Sequence, residues 1–153
     1  MGYAIRHLPK FNLVYCVHWG ICDPTQMLSE IRSPGFEPRD TLHADTLVQI
    51  MPNADLSTIT PEFAVEIWKA DQETFFAPFG EKPSSKLAFV CPENLDRIIM
   101  RMIVTLGHAS TAGSEEPDTF ATLADALSWL GSGREAAEQE LADIAATLIA
   151  KPE

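Results

Sequence analysis

Three hydroxyl side chains, Ser57, Thr58 and Thr60, follow Asp55 in the segment NADLSTITPEF at residues 53–63. Hydroxyls just ahead of a helix can carry a phosphate, whose charge the helix dipole and unpaired N–H groups would favour. They can also simply cap the helix. Thr60-Pro61-Glu62 has the order of a helix start: a capping hydroxyl, proline in the first turn and an acid at the positive end of the dipole. The preferred reading is structural, with Thr60 capping the helix and Ser57 and Thr58 satisfying turn backbone; Asp55, Ser57, Thr58 and Thr60 are the binding or regulatory candidates of this segment. A nucleophilic serine is not indicated, because no G-x-S-x-G elbow occurs and no histidine stands at an informative spacing.

Cys91 ends the run KLAFVC and directly precedes Pro92-Glu93. A thiol at a strand end before a helix N-terminus gains thiolate character, and ligands of open α/β sheets bind at strand C-termini. Glu93 opposes this with a negative charge, and no histidine partner is assignable, so a buried or capping cysteine is preferred to a reactive one. Cys16 and His18 alternate onto one face of a strand, and His43 or Asp45 could lie across from them. Neither C-x-x-C nor H-E-x-x-H spacing is present, so neither a metal nor a cofactor is assigned. His7 and His108 stand alone. Arg97 and Arg101 lie one helical turn apart and could hold a carboxylate or an acidic partner; a solvated face with Arg97 paired to Glu93 is the preferred alternative. The phosphate loops GxxxxGK and GxGxxG are absent.

The elements that must position these residues follow from pattern. Tyr3 to Leu8 and Leu13 to Trp19 read as a hairpin of two strands. Asp23-Pro24 caps a short helix carrying Met27, Leu28 and Ile31, which Ser33-Pro34-Gly35 ends. Thr41 to about Ile50 reads as the third strand. The second helix runs from Pro61 to about Phe75, with Phe63, Ile67, Ala70 and Thr74 on one face and Ala64 and Trp68 beside it. KLAFVC, apolar throughout, predicts a strand in mid-sheet covered on both faces. A strongly periodic helix is expected from Pro92 to Leu106, then a loop, ASTAGSEEPD, and a short strand from Thr119 to Ala121. Thr122 and Asp125 open the helix ADALSWL, and Gly131 and Gly133 break it. Beyond it, Ala137, Leu141, Ile144, Ala145 and Leu148 recur at helical spacing.

The order ββαβαβαβαα predicts an α/β fold: a mixed, mostly parallel sheet flanked by helices, since parallel neighbours require crossover connections. One α/β domain is expected over residues 1–131, with residues 132–153 forming an amphipathic helix packed on it or on a partner. At 153 residues and 46% hydrophobic content, one core is supported. A formal net charge of -11 argues against docking on nucleic acid or on a membrane of anionic lipid, both of which select a basic face. No run approaches the roughly 20 apolar residues of a membrane span, and MGYAIRHLPK lacks a secretory signal's apolar core. With an odd number of scattered cysteines, a cytoplasmic setting with reduced thiols is expected.

The sequence resembles the SpoIIAA-like proteins, a STAS-like group of small bacterial α/β proteins often described together with CRAL-TRIO lipid-binding domains. The carrying segments are YAIRHLPKFNLVYCVHWG, LHADTL with Asp45, DLSTITPEF, KLAFVCP, Arg101-Met102 and TFATLADALSWL, together spanning about residues 3–130. The resemblance implies a non-enzymatic module that binds a protein or a small ligand. Anti-sigma factor antagonists of the group carry a phosphorylated serine in an Asp-Ser-Ser-Gly context; here that place reads Asp55-Leu56-Ser57-Thr58. The CRAL-TRIO side implies a small apolar, lipid-like ligand, for which Trp68, Phe75 and Phe76 are the candidate lining. A thiol-dependent enzyme using Cys91 is the alternative from another class, and a homodimer is compatible with the exposed edge of an open sheet.

Overall fold

A hairpin opens the chain in the computed structural model, which describes residues 2–79, 85–93, 101, 115–131 and 133–150. Strand β1 (Gly2–Leu8) pairs antiparallel with β2 (Leu13–Trp19), placing Tyr3 opposite His18 and Ile5 opposite Cys16. A 3-10 turn at Pro9–Phe11 joins them, and Asn12 closes it in the left-handed region at φ 50°. The Trp19 indole lies over Gly2, its partner across the hairpin, so that a Cβ at position 2 would fall 1.9 Å from Cε2 and displace the ring. Strands β3 (Asp45–Ile50), β4 (Ser85–Val90) and β5 (Glu115–Phe120) follow in parallel, giving the sheet order β1-β2-β3-β4-β5. The fold is α/β with a mixed sheet of one antiparallel pair and three parallel pairs.

The period of two along each strand sends side chains to two separate cores. Leu13, Tyr15, Val17, Leu47, Ala88 and Val90 face one side. There they meet Ala126, Leu127 and Leu130 of the helix Leu123–Leu130 and Leu141, Ala145 and Leu148 of the helix Glu138–Ala150. Val14, Cys16, Val48, Ile50, Leu87 and Phe89 face the other side. This second face is covered by α1 (Pro24–Arg32) and α2 (Pro61–Phe75), which pack against each other. The helices Leu123–Leu130 and Glu138–Ala150 are called α3 and α4 below. Burying each large aliphatic side chain contributes about 1.5–3 kcal/mol, so covering both faces of β2 and β4 accounts for their largely apolar runs, whereas β3 keeps Asp45, Thr46 and Gln49 among its apolar residues.

Local differences from the expected elements have physical causes. The third strand begins at Asp45 because Pro38–Thr41 forms a 3-10 turn, held by the Thr41 hydroxyl donating to the Pro38 carbonyl at 2.8 Å. The fifth begins at Glu115, earlier than Thr119, and takes in Pro117. Its described ladder runs to β4 alone, so the missing proline N–H can face away from that ladder. The inward stripe of α2 is Ala64, Trp68 and Phe75 with Ala70, whereas Phe63 and Thr74 are half-exposed. The expected face is thus displaced by about one residue, or roughly 100° of helix rotation. The last helix is preceded by a 3-10 turn, Arg134–Ala137. The helix expected from Pro92 to Leu106 falls largely outside the described residues, as do Arg97 and His108.

Arg134 is buried and fastens the C-terminal segment to the start of the parallel strands. Its guanidinium donates to Asp45 Oδ2 at 2.6 Å and to the carbonyls of Phe11 at 3.0 Å, Asn12 at 2.9 Å and Leu130 at 3.2 Å. Asp45 Oδ1 in turn accepts the Lys86 N–H at 2.7 Å. Every arm of this buried cation is answered by an oxygen, the condition under which burying a charge is tolerated.

Candidate functional site

A cavity of about 130 Å³ lies between the second sheet face and the helices α1 and α2. Its floor comes from alternating strand residues: Tyr3 and Ile5, Val14 with Cys16 and His18, Val48, and Leu87 with Phe89. The roof comes from α2, where Ala64, Ile67, Trp68, Asp71 and Phe75 recur at helical spacing, and Phe76 follows. Met27 and Ile31 of α1 close one side. Trp68, Phe75 and Phe76, the expected apolar lining, are therefore brought together on one cavity. No lysine or arginine is among its described lining residues.

Tyr3, Cys16 and His18 form one polar group of this lining, apart from Thr41 and Thr46 toward the other end of the strands and Asp71 on α2. Tyr3 and His18 are cross-strand neighbours whose ring centroids are 4.8 Å apart, tilted by 51°. The Tyr3 hydroxyl donates to Cys16 Sγ at 3.6 Å, a weak bond to sulfur. His18 Nδ1 lies 3.5 Å from Cys22 Sγ. Burial lowers the His18 pKa to about 4, so the imidazole is neutral near pH 7. Burial also pushes the Cys22 thiol up to about 11, helped by the charge of Asp55. The Tyr3 phenol is raised by burial first and then by Cys16, with Asp71 and Glu30 adding to the effect. This end is consequently uncharged at His18, Tyr3 and Cys22 near pH 7; in the sequence Cys16 and His18 stand out only as a conceivable metal pair, and Tyr3 and Cys22 not at all. The alternation of Val14, Cys16 and His18 was the available signal, since it puts these three on one face.

The hydroxyl cluster is stitched to the segment after β2. Asp55 N–H donates to the Gly20 carbonyl at 2.7 Å, and Cys22 N–H donates to the Asp55 carbonyl at 3.0 Å. The Thr58 hydroxyl donates to the Cys22 carbonyl at 2.7 Å. Thr60 Oγ1 accepts the Phe63 N–H at 3.1 Å and caps α2 as its sequence context predicts. The Asp55 carboxylate accepts the Ser57 N–H at 2.9 Å, and hydrogen bonds from Ser57 lower its pKa. Asp55, Ser57, Thr58 and Thr60 are all exposed, and their bonds set the entry of α2 over the cavity.

The remaining candidates lie apart from the cavity lining. Cys91 is wholly buried in the core of the same sheet face, and its N–H donates to the Phe120 carbonyl at 2.8 Å. Arg101 is exposed, with Nε donating to the Thr119 hydroxyl at 2.7 Å. Cys16 and His18 share a face, but β2 and β3 pair Leu13 with Asp45 and Cys16 with Val48, so Asp45 lies at the far end of the strands. Among the described residues no group of three metal-ligating side chains converges.

Fold and site together define an α/β protein with an apolar cavity roofed by two helices. No family model, no curated protein and no solved structure matches the chain. Among the described residues no helix is long and apolar enough to cross a membrane.

Proposed function

We propose that this chain is a STAS-like binding module that takes a small apolar ligand in the cavity beneath α2. The observation carrying this reading is the cavity itself, about 130 Å³ and lined by Trp68, Phe75, Phe76, Phe89, Ile5 and Val48. An engineered apolar cavity of about 150 Å³ stays dry and binds benzene, whereas drug-sized ligands occupy about 300 Å³ or more. A ring-sized guest therefore suits the space, and a full-length acyl chain does not. The hairpin start, the parallel crossovers and the capped helix after the third strand support the STAS-like part of the reading. No reaction is placed on Cys91, whose enclosed side chain offers substrate no approach. The exposed turn at Asp55, Ser57 and Thr58 is the natural edge for a protein partner, because it carries the N-terminus of the helix that roofs the cavity.

Native mass spectrometry of gently purified protein tests this function. A bound small molecule is expected on the wild type and is lost from Ala64→Leu, which fills the space under α2. No bound mass on either protein, or the same mass on both, contradicts ligand carriage in this cavity.

A further inference from the structure

We infer that the guest of this cavity is an aromatic ring rather than a saturated ring of the same size. The inference rests on the cavity being a ligand site and names the class of molecule it selects. The two cores of the one sheet are built from different side chains. On the face packed by α3 and α4, Tyr15 is the buried aromatic among the described residues, while Phe11, Trp19, Phe120 and Trp129 are only partly buried there; leucine, valine and alanine make up the rest of that buried core. On the cavity face Tyr3, Trp68, Phe75, Phe76 and Phe89 are all buried, and every one of them lines the cavity. Sulfur follows the same division. Buried Cys16, Cys22, Met27 and Cys91 belong to the cavity face and no buried sulfur of the described residues to the other, and Cys16 and Met27 are in the lining.

Covering a sheet does not call for this composition, since the other face is covered almost entirely by aliphatic side chains. What rings and sulfur add is a polarisable wall with preferences of its own. Aromatic pairs with centroids about 4.5–7 Å apart gain energy beyond the area they bury, and sulfur against a ring gains further. Contacts of this kind are already made by the lining. Tyr3 and His18 lie 4.8 Å apart, and Phe75 packs at 6.1 Å on Phe36, which in turn lies 5.6 Å from His7. A benzene-like guest adds one more ring to this array. A saturated ring of equal volume buries as much surface and forgoes those contacts.

Calorimetric titration of the intact chain with benzene and with cyclopentane, rings of nearly equal volume, tests the inference. Area removed from water alone favours cyclopentane, the less water-soluble of the two. Benzene is nevertheless expected to bind about tenfold tighter, or about 1.4 kcal/mol, within the range of a single aromatic pair. Phe89→Leu, or Phe75→Leu, takes one ring out of the lining and leaves slightly more room. Either should weaken benzene by about threefold or more while cyclopentane stays within about twofold. A gain for cyclopentane with benzene unchanged would assign the preference to tightness of fit and overturn the inference. Cyclopentane binding the wild type as tightly as benzene, or tighter, also overturns it and leaves the cavity reading standing. Failure of both guests to bind overturns this inference and the cavity reading together.

Discussion

His18 makes the site's chemistry visible to a pH measurement. Held at about 4 in the folded chain, it lies below the ordinary value of 6.5, so the unfolded chain takes up the proton first as pH falls. Its contribution to stability is therefore complete above about pH 6.5, declines by about 3 kcal/mol as pH falls to about 4, and levels off below that. Urea denaturation from pH 7.5 to pH 4 should show this slope, and His18→Leu should remove much of it; an unchanged slope in the variant would mean that His18 is not buried neutral. The reason the sequence did not reveal this role is specific. A histidine between Val17 and Trp19 reads as a strand residue, and only the register that sets it against Tyr3 and the chain turn that brings Cys22 to its Nδ1 disclose the polar end of a cavity.

At the level of elements, features set by neighbouring residues are legible in the sequence. The caps Asp23 and Thr60 accept N–H groups of α1 and α2, and the alternating runs of β1, β2 and β4 became strands. Features that depend on tertiary partners were not legible. Asp71 interrupts the inward stripe of α2, so the apolar pattern points about one residue away from the face that packs, although Trp68, Phe75 and Phe76 do line the cavity. Pro117 and the acids around it hid an edge strand that pairing with β4 stabilises. Arg134 offered no local sign that it would reach Asp45 across most of the chain's length. For the turn before α2, the bonds assign unequal weights to neighbouring hydroxyls. Thr60→Ala should cost about 1 kcal/mol through the lost cap, whereas exposed Ser57→Ala should stay within about 0.5 kcal/mol. Equal losses in chemical denaturation would contradict the assignment of the cap to Thr60 alone.

Across the whole molecule, the two sheet faces divide the work. One face is packed by α3 and α4, and the Arg134–Asp45 pair ties the segment between them to the start of β3. The other retains a cavity where α1 and α2 cross over β1 to β4, and close packing makes such a space costly unless something occupies it. Whether the cavity takes a guest is decided by a crystal of the protein equilibrated with benzene vapour. Planar ring density enclosed by Trp68, Phe75 and Phe89 beneath α2 is expected, with the surrounding backbone little changed. Density only on the surface, or side chains collapsed into the space with no ring bound, would contradict occupancy of the cavity.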